Sequence, residues 1–122
     1  MMEHDDDILC LDVDPNGRYC ATGQVGLTPW LVIWDTTFQE DARRIKTPLT
    51  NGIKHVAFSH KADLIVATGM DSDHSIMVYN LKDDEIVAVG KGPSSHVWSI
   101  GFNTDDSLII ATCTGNVLMY SF

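Results

Sequence analysis

Apolar and polar residues recur along this chain in short blocks rather than in the three-to-four spacing of a helix. Ile8 to Gly23 reads ILCLDVDPNGRYCATG, Ile53 to Gly69 reads IKHVAFSHKADLIVATG, and Val97 to Cys113 reads VWSIGFNTDDSLIIATC. Their first residues stand 45 and then 44 positions apart, with Leu11, Val56 and Ile100 in register, as are Val13, Phe58 and Phe102. Each copy opens on alternating apolar residues, crosses a turn-forming stretch (Asp14-Pro15-Asn16-Gly17, Ser59 to Asp63, Asn103 to Ser107), and re-enters an apolar run ending in Ala-Thr. Such a pattern predicts a β-hairpin in each copy. A third strand follows each hairpin, at Trp30 to Asp35, Ser75 to Asn80 and Asn116 to Ser121. Ala42 to Lys46 and Glu85 to Gly90 fit fourth strands at a more polar outer edge. The expectation is eleven strands and no helix of useful length.

Four short antiparallel strands per unit of about 40 to 45 residues, with an aromatic and an acid closing the third, mark a propeller blade. Trp34-Asp35 is that pair in the first copy; Tyr79-Asn80 and Tyr120-Ser121 replace it in the others. The fold expected is all-β, a partial β-propeller of about three WD-type blades. They would span residues 4–50, 51–92 and 93–122, the last without its fourth strand.

His4-x-x-x-Ile8-x-x-Leu11-x-Val13 followed by Asp14-Pro15-Asn16-Gly17 looks like the start of a WD repeat. In that family a His before the innermost strand, a Ser or Thr on the second and the Trp of the third form a hydrogen-bonded structural set. His4, Thr22 and Trp34, with Asp35 beside them, match it, so Trp34 is expected to be largely buried with its indole N–H bonded to Thr22 or another polar group nearby. The Asp that normally completes the set is missing from Gly23 to Pro29, and the His position of the later copies holds Leu49 and Pro93. Those blades must rely on packing. More narrowly, His4 to Leu11, then Ala21-Thr22-Gly23-Gln24-Val25, then Val32-Ile33-Trp34-Asp35 resembles a blade of the echinoderm microtubule-associated protein-like family. Ser72-Asp73-His74 and the Ile109 to Cys113 stretch follow in the same order. The resemblance implies a non-enzymatic scaffold in the cytoplasm, at the cytoskeleton or a cilium, with tubulin as partner. Gln24, Trp30, Arg43, Arg44, Asp73 and His74 are the candidate partner-binding residues. The basic coiled-coil region of that family, and most of its pair of joined propellers, have no counterpart in these residues.

Charge narrows the partners. With 17 Asp and Glu against 8 Lys and Arg, the formal charge is -9, a field that repels phosphate backbones and anionic lipid, so neither nucleic acid nor membrane is expected. Tubulin tails are acidic as well, so contact there must be local and carried by a few bases such as Arg43, Arg44 and Lys46. Cys10, Cys20 and Cys113 are odd in number and lie in apolar runs, as buried free thiols do.

Candidate chemistry changes this picture little. Asp5-Asp6-Asp7 reads as a solvated face, and Asp71, Asp73 and His74 as a turn, rather than as cation ligands. No His or Cys spacing offers zinc a template, and no cofactor is expected. Ser59, His60 and Asp63 are neighbours in one turn and cannot align as nucleophile, base and orienter. Trp98, in an innermost strand, is expected in the core between blades, the alternative being the channel wall. Trp30, beside Pro29, is either an exposed anchor or simply the start of its strand. Two other functions compete: a WD adaptor in another assembly, such as a ciliary or ubiquitin-ligase complex, and a calcium-dependent propeller hydrolase. Three blades cannot close a ring, so either a longer polypeptide or self-association is expected to complete it.

Overall fold

A computed structural model describes residues 6–37 and 42–122; His4 and Asp5 lie outside the described residues. The strands are β1 (Ile8–Val13), β2 (Tyr19–Gln24), β3 (Trp30–Asp35), β4 (Ala42–Lys46), β5 (Ile53–Phe58), β6 (Leu64–Gly69), β7 (Ile76–Asn80), β8 (Glu85–Gly90), β9 (Val97–Phe102), β10 (Leu108–Cys113) and β11 (Asn116–Ser121). They form three antiparallel sheets, β1-β2-β3-β4, β5-β6-β7-β8 and β9-β10-β11, each a meander in chain order. β7 starts one residue later than the pattern suggests, because the Ser75 amide and hydroxyl both donate to Asp71 instead of joining the strand.

The repeat is legible down to single hydrogen bonds. In each hairpin turn a repeat-equivalent side chain, Asp14, Ser59 or Asn103, accepts the amide of the residue opening the next strand, Tyr19, Leu64 or Leu108. Four residues into each turn, Gly17, Ala62 and Asp106 adopt φ of 73°, 61° and 61°. Glycine takes that left-handed conformation freely, whereas alanine pays roughly 1 to 2 kcal/mol for it. Ala62→Gly should therefore stabilise the protein by up to about 1 kcal/mol after the added chain entropy of glycine, seen as a higher urea midpoint. An unchanged or lower midpoint would contradict that turn geometry.

The blades pack face to face. Ala21, Leu31, Ile33 and Ile45 of the first sheet meet Ile53, Phe58, Ile65, Met77 and Tyr79 of the second, with Leu49 from the connection. The second sheet turns its other face, Val66, Ile76 and Val78, to Phe102 and Ile109 of the third. Alternation is weak in these strands because both faces of the middle blade are covered. Polar staples join the blades as well. The Phe58 amide donates to Asp12 at 2.8 Å, and the His60 and Lys61 amides donate to Asp106 at 2.9 and 3.0 Å. Leu49, at the position where the WD pattern has its His, is buried in the packing between the first two blades.

At the two ends of the row the apolar faces are open. Leu11 is 62% exposed on β1 and Met119 64% exposed on β11. The three thiols are free, Cys113 buried and the other two half-buried. Burial pushes the Cys10 thiol up to about 11, which keeps it protonated and unreactive at neutral pH.

Candidate protein-docking surface

Innermost strands β1, β5 and β9 lie side by side across the blades. Each carries one extra residue near its start, a β-bulge. Ile8 pairs with Gln24 and Cys10 with Gly23; Ile53 pairs with Gly69 and His55 with Thr68; Val97 pairs with Cys113 and Ser99 with Thr112. The extra residues are Leu9, Lys54 and Trp98, repeat-equivalent positions on one rim. A bulge re-aims a side chain that the pleat would otherwise direct into a blade face. Backbone bonds fix the same rim: the amides of Val25, Met70 and Thr114 donate to the carbonyls of Asp7, Gly52 and His96 at 2.9, 2.9 and 3.1 Å.

Trp98 is 63% exposed, which overturns its expected place in the core: the bulge turns the ring out of the blade interface. His96 packs edge-on against it with ring centroids 4.3 Å apart, and the indole N–H donates to Thr114. Lys54 extends from the neighbouring blade, its ammonium 2.9 Å from His96 Nε2 and 3.2 Å from Nδ1. Beside Lys54, a cleft of about 370 Å³ is lined by Leu9, Cys10, Leu11, His55, Val56 and Met70. His55 Nε2 donates to the Val97 carbonyl at 3.0 Å, so this ring ties the second blade to the third.

Burial, partly offset by that carbonyl bond, holds the His55 pKa below its ordinary value, and Lys54 and His96 act in the same sense as burial. The folded protein thus binds fewer protons at this site than the unfolded chain, whose histidines titrate near 6.5. Stability from this site is complete above about pH 6.5 and declines as the pH falls below it. Urea unfolding at pH 7.5 and 5.0 should show that decline, and His55→Gln should lessen it. An identical pH dependence in the variant would contradict the assignment to His55.

The residues singled out by sequence fall in several places. Trp34 Nε1 donates to Thr22 at 2.8 Å, yet Trp34 is only half-buried, because its face of the first blade is an end face. Asp35 is buried against Arg18, 3.5 Å away. Gln24 is buried too (2% exposed), which removes it from a docking surface, and its amide reaches the Val25 carbonyl at 3.4 Å. Arg43 is an interblade clamp: its guanidinium donates to the Tyr79 hydroxyl and the Leu81 carbonyl, both at 3.3 Å, and lies 3.5 Å from Asp84. Arg44 stacks over Trp30 at 4.1 Å, so Trp30 both opens β3 and forms half of an outer-edge pair. Asp73 lies 3.7 Å from Lys91, and His74 Nδ1 bonds the Pro93 carbonyl at 2.7 Å.

The two residue groups weighed for chemistry do not come together. Ser59 Oγ donates to Asp63, but His60 directs Nε2 to the Phe102 carbonyl of the next blade, so the three do not form a relay. Asp71 turns to Ser75 while Asp73 and His74 face elsewhere. Among the described residues, no group of three or more His, Cys, Asp or Glu could hold a metal ion, and no helix is long and apolar enough to cross a membrane.

Comparison with known proteins agrees with this geometry. Echinoderm microtubule-associated protein-like 1 of Homo sapiens is 29% identical over 121 residues, which cover 90% of this chain and 15% of the relative. The ciliary WD repeat-containing protein ctxp80 of Euplotoides octocarinatus is 22% identical over 93% of this chain and 16% of its own length. Cilia- and flagella-associated protein 44 of Mus musculus is 22% identical over 86% of this chain and 6% of its own. The chain thus spans less than a fifth of the length of each of these relatives. The family described as WD domain, G-beta repeat matches residues 1–35 and 42–80, from the first blade through β7 of the second and more than half of the sequence. With that match and three antiparallel blades in hand, the chain belongs to the WD-repeat family.

Proposed function

We propose that this chain is a non-enzymatic protein-interaction scaffold whose partners dock on the rim that carries Leu9, Lys54 and Trp98. The observation that carries the reading is the repetition of the bulge at all three innermost strands, which presents one side chain per blade on the same rim. A propeller supplies a rigid frame and leaves function to such presented residues. Tubulin, in a cytoskeletal or ciliary setting, is the partner favoured by the likeness to a microtubule-associated protein-like relative and to a ciliary WD repeat-containing protein.

Blades of residues 4–50, 51–92 and 93–122 form part of a ring, and further blades, from a longer polypeptide or from self-association, complete it. His4, Thr22, Trp34 and Asp35 serve as the structural set of the first blade. Of the other candidates, Trp30, Arg44, Asp73 and His74 remain as secondary contacts outside the rim row.

Co-pelleting with polymerised tubulin, and gel filtration with the tubulin dimer, test the partner. The wild-type chain should associate in at least one of the two, and a Leu9→Ser, Trp98→Ala double variant should not. If wild type associates with neither, the tubulin assignment fails and the adaptor reading, supported by the likeness to a cilia- and flagella-associated protein, takes its place.

A further inference from the structure

Resting on the rim as a docking surface, we infer that the mouth between the second and third blades, formed by Lys54, His55, His96 and Trp98, takes an acidic peptide segment with an apolar side chain beside its carboxylate. The chain as a whole carries -9, so a basic group held at an exposed mouth runs against its average surface. Lys54 is such a group, and the contact nearest its ammonium is the His96 imidazole, with no ion pair to a carboxylate among the described residues.

A carboxylate approaching Lys54 would gain a charge-assisted hydrogen bond, stronger than the amine–imidazole contact it displaces. Next to it, the exposed face of Trp98 offers the large rigid apolar area that anchors interfaces, and the cleft bounded by Leu9 and Met70 accepts an aliphatic side chain. Carboxylates on the same rim are engaged or placed elsewhere: Asp71, next to Met70, accepts the Ser75 amide and hydroxyl. Asp6 and Asp7 precede β1 on the first blade, and Asp73 is paired with Lys91 at the outer part of the second. They set the direction of the ligand: its acidic part lies over the second and third blades and is kept off the first. The outer-edge bases do not offer the same site, since Arg43 is engaged between blades and Arg44 lies over Trp30.

The probe is a fluorescein-labelled peptide of alternating glutamate and leucine, with a glutamine–leucine peptide as its neutral counterpart, both titrated by fluorescence anisotropy against the full 122-residue chain. Wild type should bind the glutamate peptide at least about fivefold more tightly, as expected for one desolvated charged contact. Lys54→Gln should reduce glutamate-peptide binding to the neutral level, Lys54→Arg should retain the preference, and Lys46→Gln on the outer edge should change nothing. Trp98→Ala, at an exposed position that the fold does not need, should weaken both peptides.

Equal binding of the two peptides by wild type, binding of neither, or no effect of Lys54→Gln overturns the acidic-segment assignment. The docking rim itself survives those results if Trp98→Ala still abolishes tubulin association, and falls with it if Trp98→Ala leaves both readouts unchanged.

Discussion

Replacing Tyr79 with alanine should cost about 3 to 5 kcal/mol of unfolding free energy, the range for deleting a large aromatic side chain from a core. Tyr79 is 1% exposed and packs between the first two blades among Leu31, Ile33 and Met77. Its hydroxyl donates to Asp84 and accepts from Arg43 of the first blade. Burial and then the Asp84 carboxylate push the phenol above its ordinary pKa, so it stays protonated and keeps donating. Tyr79→Phe retains the ring and should lose only about 1 to 2 kcal/mol for the hydroxyl contacts. Urea denaturation separates the two variants. Trp34→Ala, at the equivalent but half-buried position of the first blade, should cost less than Tyr79→Ala. The reverse order, or a Tyr79→Ala loss below about 1 kcal/mol, would contradict the face-to-face packing of these blades.

Two glycines two residues apart should respond in opposite ways. A Cβ on Gly92 would overlap the His74 carbonyl oxygen, and the Gly92 amide already donates to the Asp73 carbonyl at 3.1 Å. The obstacle is backbone, so the connection to the third blade must move away from the turn of the second. A Gly92→Ala loss of about 1 to 3 kcal/mol follows, typical of forced overpacking. A Cβ on Gly90 would meet nothing within 4 Å, so Gly90→Ala should be neutral or slightly stabilising. Equal effects at both sites in thermal unfolding would contradict the close contact between this connection and the His74 turn.

The strand plan was readable from the sequence because each repeat carries its own punctuation. Asp14, Ser59 and Asn103 cap their turns, and apolar runs lie to either side. The differences are a residue at an end: β2 runs on to Gln24, and β7 starts after Ser75, where a side-chain bond to Asp71 competes with the ladder. The docking rim was far less legible. A bulge is a relation between two strands, and in a run such as Ile8-Leu9-Cys10-Leu11 no polar residue marks which apolar side chain is the extra one. The size of Trp98 therefore points to the core, and nothing in the sequence singles out Lys54. Arg43 reads as a surface base in the sequence because its partners, Tyr79, Leu81 and Asp84, lie 36 or more positions away in the next blade. Thr22 is one of the partners that the motif offers the Trp34 indole, since the two residues stand on adjacent strands at a fixed spacing.

Light scattering coupled to gel filtration, on the isolated 122-residue chain across micromolar concentrations, tests the open arc of blades most directly. The end faces expose Leu11 and Val13 on one side and Val117 and Met119 on the other, and β11 has a free hydrogen-bonding edge. Unpaired edges and uncovered apolar faces of this kind recruit other chains. The predicted result is a mass above the 13.5 kDa of one chain that rises with concentration. A monomer of 13.5 kDa at every concentration, unfolding in one cooperative transition, would contradict it.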